Sequence, residues 1–272
     1  MQRPTVAILG AGSLGEIFAL GLLRAGWATD DLVLVSRRRE RADELARTTG
    51  IPSITDLVAG AAGKDVVVIS VKPKDVPSVV ETIRGSLSAD QTVVSLVAGV
   101  ELATLEAFMP GQPIVRAMPN TPAAVDLGMT ALATGVSASE TDIGRAREVL
   151  GAVGETIELS EDLLDAVTAV SGTGPAYVFL LAETMIEAAI REGLPHHAAE
   201  KLVHQTIHGS GELLNQSNQS AFKLRGQVTS PGGTTAAAMH KLEAGGFRAL
   251  IEDAVRAATI RSRELGKRAA EE

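Results

Sequence analysis

The 272-residue chain contains no cysteine, which excludes disulfides, thiolate nucleophiles and cysteine-ligated metals. Aromatic residues are scarce at 3%, against 45% hydrophobic residues overall. Its cores must therefore be built from Ala, Val, Leu and Ile, side chains that suit buried parallel strands and closely packed helices. Positive charge is also short, with 25 Lys and Arg against 33 Asp and Glu and a net charge of −8. Duplex binding needs a basic face to release counterions, so no nucleic-acid partner is expected. No apolar run reaches the roughly 18 residues of a membrane span, and the start of the chain shows no charged, apolar and cleavage regions in succession. A soluble, cytoplasmic protein of two ordinary domains, with no membrane partner, is the expectation.

What the chain does have is an alternation of strand and helix patterns. Residues 5–9, T-V-A-I-L, feed G-A-G-S-L-G at 10–15 and then an apolar-periodic helix ending near Gly26. Buried-strand patterns recur at 32–36, 65–70 and 92–96, separated by helical patterns, with shorter ones around 114–117, 129–133 and 155–159. The expected fold class is α/β, with a doubly wound, Rossmann-type parallel sheet over residues 1–160. From Glu161 the strand signal stops. Helical patterns at 161–170, 175–192, 196–214, 231–243 and 246–266 predict an all-helical second domain over 161–272. The helix at 175–192 is apolar on nearly every face, which predicts cover from a second subunit.

Gly10, Gly12 and Gly15 lie between a strand and a helix, the context in which a glycine loop binds a dinucleotide rather than merely turning the chain. Gly10 makes the tight turn, Gly12 admits the pyrophosphate and Gly15 lets helix pack on strand. Ala11, Ser13 and Leu14 complete the loop. Where the second strand ends, an NAD enzyme usually carries an acid for the ribose hydroxyls. Here stand Ser36, Arg37, Arg38 and Arg39. A hydroxyl and guanidiniums can hydrogen-bond a 2′-phosphate that an acid would repel, so NADPH is the expected cofactor, with NADH as a secondary hydride source. Arg39, followed by Glu40, reads as a solvated turn. Val71-Lys72-Pro73 and Val97-Ala98-Gly99 leave later strands at their carboxyl ends, facing the crevice where ligands of such sheets lie. Lys72 is not assigned a catalytic role.

Near the C-terminus, V-T-S-P-G-G-T-T-A-A-A-M-H-K-L-E at 228–243 reads as a helix start. Ser230 is the expected N-cap and Pro231 the first helical residue, leaving the Gly232 and Gly233 amides without intrahelical partners. Gly233 occupies the capping-box position and offers no side chain, so the amides and the helix dipole are available to an anion such as a carboxylate. Thr234 and Thr235 add hydroxyls. An ordinary capped helix would account for the same residues. His204 and His208 have i, i+4 spacing, but without an H-E-x-x-H arrangement or a third ligand no metal is assigned.

The 228–243 segment, the following G-G-F-R-A-L at 245–250, R-A-M-P-N-T-P at 116–122, D-A-V-T-A-V-S-G-T-G-P-A-Y-V-F at 165–179 and V-K-P at 71–73 together resemble the pyrroline-5-carboxylate reductases, which make proline. The blocks follow the family's order over most of the chain. Departures are Met239 for a branched aliphatic, Thr173 for Ser, and Ser13-Leu14 in the glycine loop. The resemblance implies NADPH-dependent reduction of the cyclic imine 1-pyrroline-5-carboxylate to L-proline. It adds Met118, Pro119 and Asn120 to the loops lining nicotinamide and ribose, although Asn120 before Thr-Pro can also cap a turn. Ser230, Gly232, Gly233 and Thr234 would hold the substrate carboxylate, and Thr235, the catalytic candidate, would hydrogen-bond the ring nitrogen. An imine bound as its iminium needs no general acid from the protein. The family also implies an intertwined homodimer, stacked into a ring of dimers, in which the 230–235 segment of one chain faces the nicotinamide held by the other. A rival β-hydroxyacid dehydrogenase would use a lysine on the first long helix of its second domain, and none lies between Ser171 and Ile190. A reductase of a related cyclic imino acid would carry the same motifs, and a non-catalytic NADPH-binding assembly protein would carry the glycine loop without needing the 228–235 segment for chemistry.

Overall fold

The computed structural model describes residues 3–271 of the chain. Its strands are β1 (Val6–Leu9), β2 (Leu32–Val35), β3 (Ser53–Ile54), β4 (Val66–Ile69), β5 (Thr92–Ser95), β6 (Ile114–Met118), β7 (Gly128–Thr134) and β8 (Gly154–Glu158). They form one sheet in the order β3-β2-β1-β4-β5-β6-β7-β8. The runs V-A-I-L, L-V-L-V and V-V-V-I of β1, β2 and β4 are buried on both faces, as continuous β-branched and aliphatic runs require when helices cover both sides. These helices are α1 (Ser13–Arg24), α2 (Arg39–Thr49), α3 (Leu57–Ala61), α4 (Val76–Ile83), α5 (Leu102–Phe108) and α6 (Glu140–Leu150). One core gathers Ile8, Phe18, Leu22, Leu34 and Val68. The other gathers Leu9, Val35, Ile69, Ile83, Leu105 and Ile114 on the opposite face. Strand order reverses between β1 and β4, which opens a crevice at their carboxyl ends.

Most neighbours are parallel, but β7 runs antiparallel to β6. A parallel crossover needs a dozen or more residues, whereas residues 119–127 hold only a short 3₁₀ stretch, Thr121–Val125, before Asp126 turns the chain at φ 60°. Arg24 grips that turn through a bidentate pair to Asp126 at 2.6 and 2.7 Å. The two-residue β3 lies outside the strands read from sequence.

The remaining helices are α7 (Leu164–Val167), α8 (Gly174–Arg191), α9 (His196–Gln216), α10 (Ala221–Gln227), α11 (Thr234–Ala244) and α12 (Phe247–Glu271), with a π-helical turn at Thr168–Gly172. The all-helical second half agrees with the sequence expectation; α10, a single short segment capped by Ser220, is an addition to it. Packing gathers residues 1–173 and 258–272 into one compact unit and 174–257 into another. This division differs from the expected boundary after residue 160 because 161–173 are bound into the first unit. Leu164 is fully buried in its core. Glu161 accepts from the Arg116 guanidinium at 2.5 Å and the Leu102 amide at 3.1 Å. Asp165 accepts from the Ser262 hydroxyl at 2.6 Å.

In the single chain no residue of α8 is buried, and Phe179 and Leu180 are 67% and 60% exposed. The run Glu161–Arg191 is long and apolar enough, by length and composition, to cross a membrane. The run is interrupted by Ser, Thr and Gly and by the charged Asp165, Glu183 and Glu187, so no uninterrupted apolar stretch of that length occurs within it.

Candidate active site

The chain leaves β1 through Gly10, whose φ is +93°. A Cβ there would lie 2.5 Å from Val71 Cγ1 and 2.8 Å from the Ser70 carbonyl oxygen, so only glycine fits. The Gly10 and Ala11 amides both donate to the Val35 carbonyl, at 2.9 and 3.0 Å, which fixes the loop to the end of β2. Gly12 is the N-cap of α1 and has no capping side chain. A Cβ on Gly12 would meet nothing nearer than 4.0 Å, whereas one on Gly15 would meet the Gly10 carbonyl oxygen at 2.9 Å and Ile8 Cγ2 at 3.1 Å. Gly15 thus serves close helix-on-strand packing, and Gly12 leaves the first amides of α1 open to an anion. Ser13 and Leu14 form that first turn.

A cleft of about 550 Å³ opens over this loop and brings together Gly10, Ala11, Gly12, Ser36, Arg37, Arg38, Val71 and Lys72. Ser36 is held in place by its amide, which donates to the Ile54 carbonyl at 3.0 Å. Arg37 and Arg38 are exposed and, among the described residues, make no ion pair. Sequence reasoning missed Arg41, Thr55, Lys74 and Ser78 on the same walls. Arg41 stands in the first turn of α2, directly after the Arg37-Arg38-Arg39 run, a position that could have revealed it. It pairs with Glu44 and with Glu16 at 2.8 and 2.5 Å, and those hydrogen bonds raise its pKa further above the ordinary arginine value. Among the described residues lining the cleft, Arg37, Arg38, Lys72 and Lys74 add positive charge beside the Glu-paired Arg41, and Asp75 is the acidic residue on its wall. Such a cleft can hold a dinucleotide that carries an extra phosphate.

Lys72 and Lys74 also border a second cleft of about 640 Å³, with Pro73, Ala98, Gly99, Thr168 and Thr173. Arg261, Ser262 and Leu265 of α12 close it, an approach across long sequence separation that carries no local signal. Gly99, at φ +79°, lies against Gly266. Val97 is buried beneath the loop. Met118 ends β6 and Pro119 follows it, neither lining either cleft, and Met118 packs on Gly172, where a Cβ would come within 2.7 Å of its Cε. Asn120 does not cap the turn that follows it. Its Oδ1 accepts from the Met129 amide at 2.8 Å and its Nδ2 donates to Ser171 Oγ at 3.2 Å.

The 230–235 segment belongs to the second compact unit. Its local geometry corrects the expected capping. α11 begins at Thr234 with Gly233 as N-cap, so Ser230 is not the cap and Pro231 is not helical. Pro231 and Gly232, the latter at φ +71°, form a turn closed by the Gly233 amide donating to the Ser230 carbonyl at 3.1 Å. This is the Pro-Gly pattern of a type II turn, which outcompeted the helix start. The Gly233 amide is therefore engaged, and the open amides move on to Thr234, Thr235 and Ala236, since the helical ladder starts with Ala237 donating to the Gly233 carbonyl. A Cβ on Gly233 would sit 2.3 Å from Ser230 Oγ; the missing side chain is what lets that hydroxyl lie beside the helix start.

Over 96% of both chains, the protein is 41% identical to a pyrroline-5-carboxylate reductase of Mycobacterium tuberculosis. The chain belongs to the pyrroline-5-carboxylate reductase family. A relative in Pisum sativum is 36% identical over 96% of each chain. The structure resembles that of the pyrroline-5-carboxylate reductase from Coxiella burnetii, with a TM-score of 0.92, 35% identity and coverage of 97% and 99%. It also resembles the Plasmodium falciparum pyrroline carboxylate reductase solved with NADP bound, with a TM-score of 0.87, 29% identity and coverage of 98% and 99%. Residues 161–265 match the family described as pyrroline-5-carboxylate reductase dimerisation, and residues 5–99 that described as NADP oxidoreductase, coenzyme F420-dependent. As a pyrroline-5-carboxylate reductase family chain, it thus carries in its exposed α8 part of the family's dimerisation region.

Proposed function

We infer that the protein reduces 1-pyrroline-5-carboxylate to L-proline with NADPH. The observation that carries this reading is the full-length relationship to pyrroline-5-carboxylate reductases; the two clefts and the 230–235 turn supply what the reaction requires. The chemistry contributed by the cofactor is a hydride, from nicotinamide C4 to the C=N carbon. The rest is positioning. The amides at the start of α1, with Gly10, Ala11 and Gly12, cradle the pyrophosphate, and Ser36, Arg37 and Arg38 hold the 2′-phosphate. Val71, Lys72 and Pro73, with Val97, Ala98 and Gly99, border the ribose and nicotinamide, together with Met118 at the end of β6 and Pro119 and Asn120 just after it.

Ser230 and the open amides of Thr234 and Thr235 bind the substrate carboxylate, with Gly232 and Gly233 shaping the turn. The Thr235 hydroxyl hydrogen-bonds the ring nitrogen, and the substrate enters as its iminium, already carrying the nitrogen proton. Expression in a bacterium that lacks its own reductase should restore growth without proline; no growth with soluble protein present would refute the assignment.

The helical region from residue 161 pairs two chains as an intertwined dimer, stacked into rings, and the enzyme works in the cytoplasm without a membrane partner. The exposed apolar faces of α8, in a region matching a dimerisation family, support the pairing. In this arrangement the 230–235 turn of one chain serves the nicotinamide held by the other. Co-expressed heterodimers of Gly12→Asp and Thr235→Ala chains should then regain activity that neither parent has. Verified heterodimers no better than the parents would return the turn to its own chain's cofactor.

A further inference from the structure

The hydroxyls of the π-helical turn and of Thr173, which ends it, are not used alike. Thr168 Oγ1 donates to the Leu164 carbonyl at 2.9 Å, and Thr173 Oγ1 donates to the Thr168 carbonyl at 3.0 Å. Ser171, between them, is bonded differently. A backbone N–H can only donate, so the Met129 amide, 2.8 Å from Asn120, fixes the Asn120 carboxamide with Oδ1 toward β7. Nδ2 must then face Ser171 Oγ, at 3.2 Å, and having only protons to offer it makes that hydroxyl an acceptor. The proton of Ser171 is thereby freed for a second oxygen, and among the described residues it goes to no protein acceptor.

The half-buried Ser171 sits on the same turn as Thr168 and Thr173, which line the second cleft opposite Lys72, Pro73, Ala98 and Gly99 at the carboxyl ends of β4 and β5. Single π turns recur at functional sites. Asn120 follows the carboxyl end of β6, and the relay from Met129 through Asn120 ends at Ser171, on the turn whose Thr168 borders the crevice that, in the cofactor reading above, holds nicotinamide. We propose that Asn120 is a positioning residue that makes Ser171 a dedicated hydrogen-bond donor to the carboxamide oxygen of bound nicotinamide. The inference rests on that cofactor reading and assigns Asn120 an indirect role, through Ser171.

The test compares two ligands on the purified full-length protein by titration calorimetry: NADP⁺, and 2′-phospho-ADP-ribose, which lacks nicotinamide. Ser171→Ala should weaken NADP⁺ about three- to tenfold, the worth of one hydrogen bond, and leave 2′-phospho-ADP-ribose unchanged. Ser171→Thr should restore binding to within about twofold. In Asn120→Asp the carboxylate can accept from both Met129 N–H and Ser171 O–H, which turns the serine proton away from the ligand. That variant should show the same selective loss although Ser171 is present, and adding Ser171→Ala to it should weaken NADP⁺ no further. Unchanged NADP⁺ binding in Ser171→Ala, or equal losses for both ligands, overturns the donor role; additive losses in the double variant overturn the role of Asn120. Should Asn120→Asp fail to fold, the two Ser171 variants still decide the donor. A wild-type protein that binds neither ligand refutes the cofactor reading itself, an outcome distinct from the others.

Discussion

Gly233→Ala separates the stability of the 230–235 turn from its function. The backbone at Gly233 is extended, with φ −80° and ψ 174°, which any residue can adopt. The added Cβ, however, would lie 2.3 Å from Ser230 Oγ and 3.2 Å from the Ser230 carbonyl oxygen. The hydroxyl is a single rotatable atom on an exposed residue, so it swings away and the fold yields little. Replacing an N-cap glycine by alanine costs about 0.5–1 kcal/mol, which corresponds to a shift of about 1–4 °C in Tm for a chain of this size. The functional loss should be larger. A hydroxyl displaced from the substrate carboxylate forfeits a charge-assisted hydrogen bond of about 1.5–3 kcal/mol, or about 10- to 150-fold in kcat/KM for the imino acid. The NADPH KM should stay within about twofold, because in the proposed site the Ser230 hydroxyl binds the substrate carboxylate and not the cofactor. Steady-state kinetics and a thermal melt on the same preparation measure all three quantities. Ser230→Ala should reproduce the kinetic loss, and the double variant should be no worse than either single one. Unchanged kcat/KM, or losses that add in the double variant, would refute the role given to the Ser230 hydroxyl.

Arg37→Ala should raise the NADPH KM about ten- to a hundredfold while sparing the NADH KM and the melting temperature, since the exposed Arg37 has no ion-pair partner to lose among the described residues; equal KM effects on both cofactors would contradict it. Thr235→Ala should lower kcat about tenfold or more with saturating substrate, and Thr235→Ser should recover much of it; an unimpaired Ala variant would make the hydroxyl merely structural. Asp142 is buried in the first turn of α6. Burial alone would raise its pKa, but hydrogen bonds from Ser139 at 2.6 and 2.9 Å and from Thr92 at 2.7 Å outweigh it and hold the carboxyl below the usual range. A depressed pKa contributes stability that is fully present above the unfolded value of about 4 and is lost as pH falls through the folded value. Asp142→Asn should therefore cost about 1–3 kcal/mol in denaturant melts at pH 7, and its deficit against wild type should shrink below about pH 4; a pH-independent deficit would refute the charge-based account.

The parts of the fold legible in the sequence were those whose physics is local. Gly10, Gly12 and Gly15 sit between a strand and a helix, and each meets in space what that spacing implies: Val71, open space and Ile8. The missing acid after β2 was equally plain, because the residues that would pair with a ribose or a 2′-phosphate leave the strand end directly. At 230–233 two local rules competed. Pro231 fits the first position of a helix and also the second position of a turn, and Gly232 at φ +71° decided for the turn. Nothing nearby in sequence could reveal the bond between Ser262 and Asp165, or that between Arg24 and Asp126. The first binds 161–173 and the end of α12 into one unit; the second fixes the reversal before β7. The Asn120 relay was hidden for the same reason, since Met129 and Ser171 reach it from separate elements.

The central claim is that this chain joins a phosphate-selective dinucleotide cleft to a carboxylate-binding turn in order to reduce a five-membered cyclic imine. Steady-state rates with 1-pyrroline-5-carboxylate and its six-membered homologue, each with NADPH and with NADH, test it most directly. The account predicts the highest kcat/KM for the pairing of NADPH with the five-membered ring, with one L-proline formed for each NADPH consumed. Consumption of NADPH without proline, or no turnover of either imino acid, would contradict it.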